Sequence, residues 1–83
     1  RRRPEGGVLM KVQVSAEWED YRGAQRIEIA GYTAGVEETQ NGFFQYTVLH
    51  DHMRIVETGQ RITLTGAMIS AENAIRNDIN KGA

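Results

Sequence analysis

The chain has 83 residues, of which 40% are hydrophobic and 25% charged, and it contains no Cys; this describes one small globular domain and excludes a disulfide framework, a thiol nucleophile and a cysteine-ligated metal. The formal net charge of −1 supplies no general attraction to nucleic acid or to an anionic membrane. Because no apolar run approaches the roughly 20 residues that span a bilayer, we expect a soluble protein, and the lack of Cys favours the reducing cytoplasm.

The first nine residues differ in composition from the rest of the chain. They contain three consecutive arginines, the only Pro and two adjacent glycines. We expect residues 1–9 to be a disordered or expression-derived leader and residues 10–83 to form a single domain. The alternative is a basic arm, but three arginines neutralise only about three phosphates and would bind weakly at physiological salt.

Two strands are predicted next. In residues 10–18 an apolar residue stands at every second position, namely Met10, Val12, Val14, Ala16 and Trp18. A period of two is typical of a strand with one buried face. Residues 19–23 have turn composition, and residues 25–32 place Ile27 and Ile29 on one face, which predicts a second, antiparallel strand.

The middle of the chain alternates between loop and strand signals. Residues 33–42 are polar, contain Gly35 and end in Asn41-Gly42, so we expect a loop that closes in a tight hairpin turn. Residues 43–50 are apolar on both faces, which indicates a central strand. His50-Asp51-His52 is expected to turn the chain into a fourth strand, residues 53–58. Gly59-Gln60 would lead into a fifth, residues 61–65, unless adjacent strands fuse into a longer bent one.

The end of the chain has helical spacing. Ser70 is placed to cap a helix, with Glu72 in its first turn. Ala71, Ala74, Ile75 and Ile79, with Met68 or Ile69 before them, form an apolar stripe. The connections are too short for parallel crossovers. We therefore predict an α+β fold: an antiparallel β-meander of about four to five strands with a C-terminal helix on one face.

No motif indicates an enzyme, a cofactor or a metal. In an extended strand His50 and His52 would point the same way and could bind zinc, but the sequence offers no third ligand and the pair also suits a solvent-exposed turn. Ser70 suits a helix cap, and Thr63 and Thr65 suit solvent-facing strand positions. We expect no catalytic residue, no cofactor, no metal and no small-molecule substrate.

The favoured function is a protein-interaction or structural module. With a helix on one sheet face, apolar residues near the third strand would be left on the other, where they could bind a partner or a second copy. An edge strand could add a partner strand instead. The predicted interaction surface consists of Phe43, Gln45, Thr47, Leu49, Arg54 and Val56.

Nucleic-acid binding is the alternative function. Aromatic side chains on a sheet can stack unpaired bases while cations hold phosphates. The residues that would do so are the aromatics Tyr32, Phe43, Phe44 and Tyr46 and the cations Lys11, Arg54 and Arg61. The near-neutral charge favours the protein-interaction function over this one.

The segment Asn41-Gly42-Phe43-Phe44-Gln45-Tyr46, with the following hairpin and closing helix, resembles the strand-and-helix plan of the amino-terminal arm-binding domains of phage-type integrases. The resemblance covers about half of the chain and implies a sheet that reads DNA with basic residues. The sequence departs from that family at those residues, because its strands carry few cations and the preceding hairpin is acidic.

Overall fold

A computed structural model describes residues 17–82 of the chain. The predicted leader, and residues 10–16 of the first predicted strand, lie outside the described residues. The elements are β1 (Glu19–Tyr21), β2 (Ala24–Ile29), β3 (Tyr32–Glu38), β4 (Phe44–His50), β5 (Arg54–Arg61) and α1 (Leu64–Gly82). All neighbouring strands are antiparallel and follow chain order. The predicted meander with a C-terminal helix is therefore confirmed.

Two-residue turns with positive φ connect the first three strands. Arg22 and Gly23 have φ values of 55° and 85°, and Ala30 and Gly31 have values of 54° and 84°. Two successive positive φ angles match the twist of the flanking strands, which is why such turns are common in hairpins. The carboxylate of Asp20 accepts a hydrogen bond from the Gly23 N–H at 3.2 Å and supports the first turn.

The segment predicted as a polar loop, residues 33–42, is largely strand. β3 extends from Tyr32 to Glu38 and pairs along its length with both β2 and β4. Pairing on both sides overrides the low strand propensity of Gly35 and the polar residues around it. The predicted reversal at Asn41-Gly42 does occur: Gly42 has a φ of 86°, and its N–H donates to the Thr39 carbonyl at 3.0 Å.

The predicted fourth strand continues through the predicted turn, and the predicted fifth strand, residues 61–65, does not form: Arg61 ends β5, and Leu64 and Thr65 begin the helix. β5 continues through Gly59 and Gln60, which pair with Tyr46 and Gln45 of β4 instead of forming a turn. The register shifts opposite Val48 and Leu49, so β5 carries a bulge near its start. The prediction of β4 as a central strand is confirmed, because β3 and β5 flank it.

The helix begins at Leu64, six residues before the predicted cap at Ser70. Thr63 precedes its first turn, and its hydroxyl accepts a hydrogen bond from the Gly66 N–H at 3.0 Å. Thr63 therefore caps the helix and is not the strand surface residue that was predicted. Ser70 lies inside the helix, where the N–H groups of the residues after it already have backbone acceptors one turn earlier.

The core lies between α1 and the inner face of the sheet. The helix packs against β3, β4 and β5. The buried apolar residues are Ile27, Tyr32, Ala34, Val36, Tyr46, Val48, Ala67, Met68, Ala71, Ala74 and Ile75. The predicted stripe is thus mostly confirmed, although Ile79 is 43% exposed. The described part of the chain contains no helix with the length and apolarity that crossing a bilayer demands.

Candidate interaction surfaces

The sheet face opposite α1 has no covering layer in the described part of the chain. Along β3, Tyr32, Ala34 and Val36 are buried beneath the helix, so the intervening Thr33, Gly35 and Glu37 point to the opposite side. The register extends this side across the neighbouring strands. We call it the helix-free face, and its groove-forming residues include Tyr21, Arg26, Gly35, Gln45, Thr47 and Leu49.

A shallow groove of about 300 Å³ crosses this face over Gly35. A Cβ atom on Gly35 would find no neighbour nearer than the Gln25 carbonyl oxygen at 3.8 Å, and Gly35 has no positive φ. The packing of the domain therefore does not require a glycine here. Glycine inside a strand weakens it and often marks a place where a ligand or another chain approaches the backbone closely.

The walls of the groove combine one aromatic ring with hydrogen-bonding side chains. Tyr21 is 54% exposed, and the guanidinium carbons of Arg22 and Arg26 lie 5.6 Å and 5.8 Å from its ring centroid. On the opposite wall, Thr47 and Gln45 stand on β4. This lining can accept an apolar or aromatic group and hydrogen-bond to the polar atoms around it.

The helix-free face carries more negative than positive charge. Glu19 lies directly opposite Arg26, and Glu28 and Glu37 alternate with inward-facing residues of their strands. Arg26 is already paired with Glu28 at 2.8 Å. The carboxylates of Glu19 and Glu37 thus remain to attract a cation and to repel a phosphate backbone.

The six residues of the predicted interaction surface do not lie together. Gln45, Thr47 and Leu49 stand on the helix-free face, and Phe43 lies just before β4 with 42% exposure. The other two lie on the helix side. Val56 packs against the core. Arg54 donates to Asp78 of the helix at 2.7 Å. The bulge in β5 explains this misplacement, because an extra residue reverses the alternation on which the prediction depended.

Asp78 links α1 to the first residues of β3 and β5. The Tyr32 hydroxyl donates to Asp78 Oδ2 at 2.6 Å, and Arg54 donates to the same oxygen. The hydrogen bonds from Tyr32 and Arg54 lower the pKa of the Asp78 carboxyl, and the bond to Asp78 raises the pKa of the Tyr32 hydroxyl. The bonds stabilise the ionised form of Asp78 and the neutral form of the Tyr32 hydroxyl. The cluster therefore fixes the position of the helix against the sheet.

The two histidines do not occupy the strand geometry that the zinc hypothesis needs. His50 ends β4, where its ring stacks on Tyr32 with the centroids 4.4 Å apart. Asp51 and His52 have φ values of 57° and 61° and form the predicted turn, with His52 exposed. Among residues 17–82, no three His, Asp or Glu side chains come together as a metal site would require.

Three of the four aromatic residues of the nucleic-acid hypothesis lie in the core or against it, and the fourth, Phe43, is 42% exposed. Tyr32 and Tyr46 are 6% and 2% exposed, and Phe44 packs against the same cluster. The Tyr46 hydroxyl donates to Glu57, and burial together with this bond raises the Tyr46 pKa. Arg61 lies over the Tyr46 ring at 5.3 Å. Because the helix covers this side, Tyr32, Phe44 and Tyr46 do not form an exposed surface on which bases could stack.

One sequence feature marks the groove. Residues 33–42 are polar and predict a loop at Gly35, although Ala34 and Val36 on either side of it fit a buried strand face. The turn composition of residues 19–23 places Tyr21 in a turn, whereas Tyr21 ends β1 and the turn begins immediately after it. No local pattern marks Asp78, because its contacts with Tyr32 and Arg54 join residues distant in sequence.

Comparison with known proteins finds no matching family model, no matching curated protein and no matching solved structure.

Proposed function

We propose that this domain is a non-enzymatic protein-interaction module that binds a partner protein on its helix-free face. The observation that carries the proposal is the groove over Gly35, where the packing of the domain does not require a glycine. A glycine in an internal strand costs roughly 0.5 to 1 kcal/mol relative to alanine. Such a cost is readily explained if a partner needs close access to the backbone of β3.

The chemistry of the face favours one kind of partner. The floor at Gly35 and the Tyr21 ring suit a flat apolar or aromatic side chain. Thr33, Gln45 and Thr47 can hydrogen-bond to the backbone that carries it. The excess of carboxylates favours Lys or Arg beside it, so we infer an exposed protein segment that combines an aromatic residue with a basic one.

The charge also favours protein over nucleic acid as the partner. Nucleic-acid binding depends mainly on cations that neutralise phosphates. On the helix-free face Arg26 is paired with Glu28 and Arg22 lies against the Tyr21 ring, while Glu19 and Glu37 would repel phosphates. Tyr32 and Tyr46, two of the aromatic side chains proposed to stack bases, are buried beneath α1.

A peptide-selection experiment tests the proposal. A randomised displayed-peptide library is selected on the full chain, and the selected peptides are titrated against Gly35→Val, whose side chain fills the groove. We expect aromatic and basic residues in the selected peptides, at least a tenfold loss of affinity for Gly35→Val, and shifts of the Thr33, Gln45 and Thr47 amide resonances. Thr58→Val, also on the sheet but outside the groove, should bind as the wild type does.

Two results would reject the proposal. Peptides that bind wild type and Gly35→Val equally, or that perturb residues on the helix side alone, would show that the groove is not the binding site. A parallel titration with single-stranded DNA and RNA at low salt covers the alternative function. Saturable oligonucleotide binding there, weakened by added salt, would favour nucleic acid over a protein partner.

A further inference from the structure

β5 is an edge strand on one side. It pairs with β4, and no other strand within residues 17–82 pairs with its opposite side. The bulge affects its first half, whereas residues 57–61 follow a regular register against β4. A regular edge of this kind presents backbone N–H and C=O groups that can pair with another strand.

Two opposite charges stand on this regular half, on the helix side of the sheet. Glu57 and Arg61 are four residues apart, with Gly59 midway between them, so all three lie on the same side of β5. Both charged groups contact Tyr46 of β4: its hydroxyl donates to Glu57, and its ring lies beneath Arg61. The one ring therefore holds the acid and the base at fixed positions along the edge.

This spacing is self-complementary under two-fold symmetry. We propose that two copies of the chain associate by antiparallel pairing of their β5 strands about an axis at Gly59. In that register Glu57 of each copy faces Arg61 of the other, which gives two equivalent ionic pairs. Cross-strand pairs of opposite charge stabilise a sheet, and a two-fold interface repeats every contact.

Other registers of the same half lack this match. An axis at Glu57 sets the two Glu57 carboxylates against each other, and an axis at Thr58 sets Arg54 against Arg61, because the bulge leaves Arg54 only two ladder positions from Glu57. Like charges directly opposite each other destabilise a sheet. Among axes within residues 57–61, the Gly59 axis alone places Glu57 opposite an arginine, so the charges specify the register as well as the partner.

One hydrogen bond within the single chain must break when two β5 strands pair. Arg61 Nη1 donates to the Gln60 carbonyl at 2.7 Å, and this carbonyl is needed if the next strand is to pair there. When Arg61 turns to Glu57 of the second copy, it releases the Gln60 carbonyl. The association uses the sheet edge and leaves the helix-free face open, so it is independent of the proposed function.

Charge reversal tests the association. Sedimentation from about 1 μM to 1 mM should show a monomer–dimer equilibrium, as is typical of a small interface. Arg61→Glu and Glu57→Arg should each raise the dissociation constant at least about tenfold, because each sets like charges opposite one another. The double variant Glu57→Arg/Arg61→Glu should restore it to within about threefold. Circular dichroism establishes that each variant is folded.

Disulfide trapping gives a second readout that leaves Glu57 and Arg61, and their contacts with Tyr46, unchanged. The chain has no Cys, so Thr58→Cys and Gln60→Cys can be made separately. In the Gly59 register residue 58 faces residue 60 of the other copy, and mixing the two variants should give crosslinked heterodimers in excess of either homodimer. A monomer throughout the concentration range, a dimer insensitive to charge reversal, or no preference for the heterodimer would overturn the proposal.

Discussion

The phenol of Tyr46 fills the space above Gly59, the residue directly opposite it on β5. A Cβ atom at position 59 would lie 2.9 Å from the Tyr46 hydroxyl oxygen and 3.0 Å from ring atoms Cε1 and Cζ. Tyr46 is 2% exposed, and its hydroxyl donates to Glu57. The ring therefore cannot move aside without losing buried contacts, in contrast to the open space above Gly35.

We predict that Gly59→Ala destabilises the domain by about 1 to 3 kcal/mol, because the added methyl overpacks a filled site. Chemical denaturation measures the change. Gly35→Ala is the matched control, since its Cβ would stand 3.8 Å from the nearest atom. It should be neutral or stabilising by up to about 1 kcal/mol. Equal effects of the two substitutions would contradict this account of the two glycines.

Two isoleucines of the helix, one buried and one exposed, give a second prediction. Ile75 is 4% exposed and belongs to the core, whereas Ile79, one turn later, is 43% exposed. Ile75→Ala should cost about 2 to 5 kcal/mol, through lost burial and the cavity that remains. Because a domain of this size is stable by only about 5 kcal/mol, a large fraction of the protein should then unfold. Ile79→Ala should cost less than about 1 kcal/mol in the same denaturation experiment.

The elements that could be predicted from sequence are those with a local cause. Asn41-Gly42 marked a reversal because glycine readily adopts the positive φ of 86° found there. The alternation in residues 43–50 identified β4 for a similar reason, since it places Phe44, Tyr46 and Val48 together on the face beneath α1. The meander follows from such signals together with short connections, which forbid parallel crossovers.

The elements that were misplaced depend on tertiary pairing. β3 carries Thr33, Gly35 and Glu37 on its helix-free side, and it is a strand because β2 and β4 both pair with it. β5 continues through Gly59 and Gln60 because Gly59 fits beneath the Tyr46 ring. The bulge that moves Val56 to the core has no local signature. The groove could not be predicted for the same reason, because the open space above a single glycine depends on how the neighbouring strands pack.

The first turn of the helix gives a third prediction. Thr63→Ala removes the acceptor of the Gly66 N–H and should cost about 0.5 to 2 kcal/mol, whereas Thr63→Ser keeps the hydroxyl and should cost little. Ser70→Ala tests the position that the sequence suggested as the cap. Because Ser70 lies within the helix, alanine should be neutral or slightly stabilising there. A larger loss of unfolding free energy from Ser70→Ala than from Thr63→Ala would indicate that the helix begins near Ser70 and not at Leu64.

Asp78 makes stability depend on acid pH. Hydrogen bonds from Tyr32 and Arg54 hold its pKa below the ordinary value of about 3.9. A carboxyl whose pKa is lower in the folded state stabilises the fold above its unfolded pKa, and this stabilisation is lost as the pH falls through the folded value. The free energy of unfolding should therefore decrease as the pH falls from about 5 through the unfolded pKa of about 3.9 and below it.

Asp78→Asn tests this assignment, because the amide cannot titrate. The variant should be less stable than wild type at pH 7, where it loses the charge-assisted bond from Arg54, and the difference should shrink as the pH falls. Glu38→Gln, which replaces an exposed carboxylate at the end of β3, should keep the acid dependence of the wild type. An undiminished difference between Asp78→Asn and wild type at low pH would mean that the carboxyl acts through packing and not through its charge.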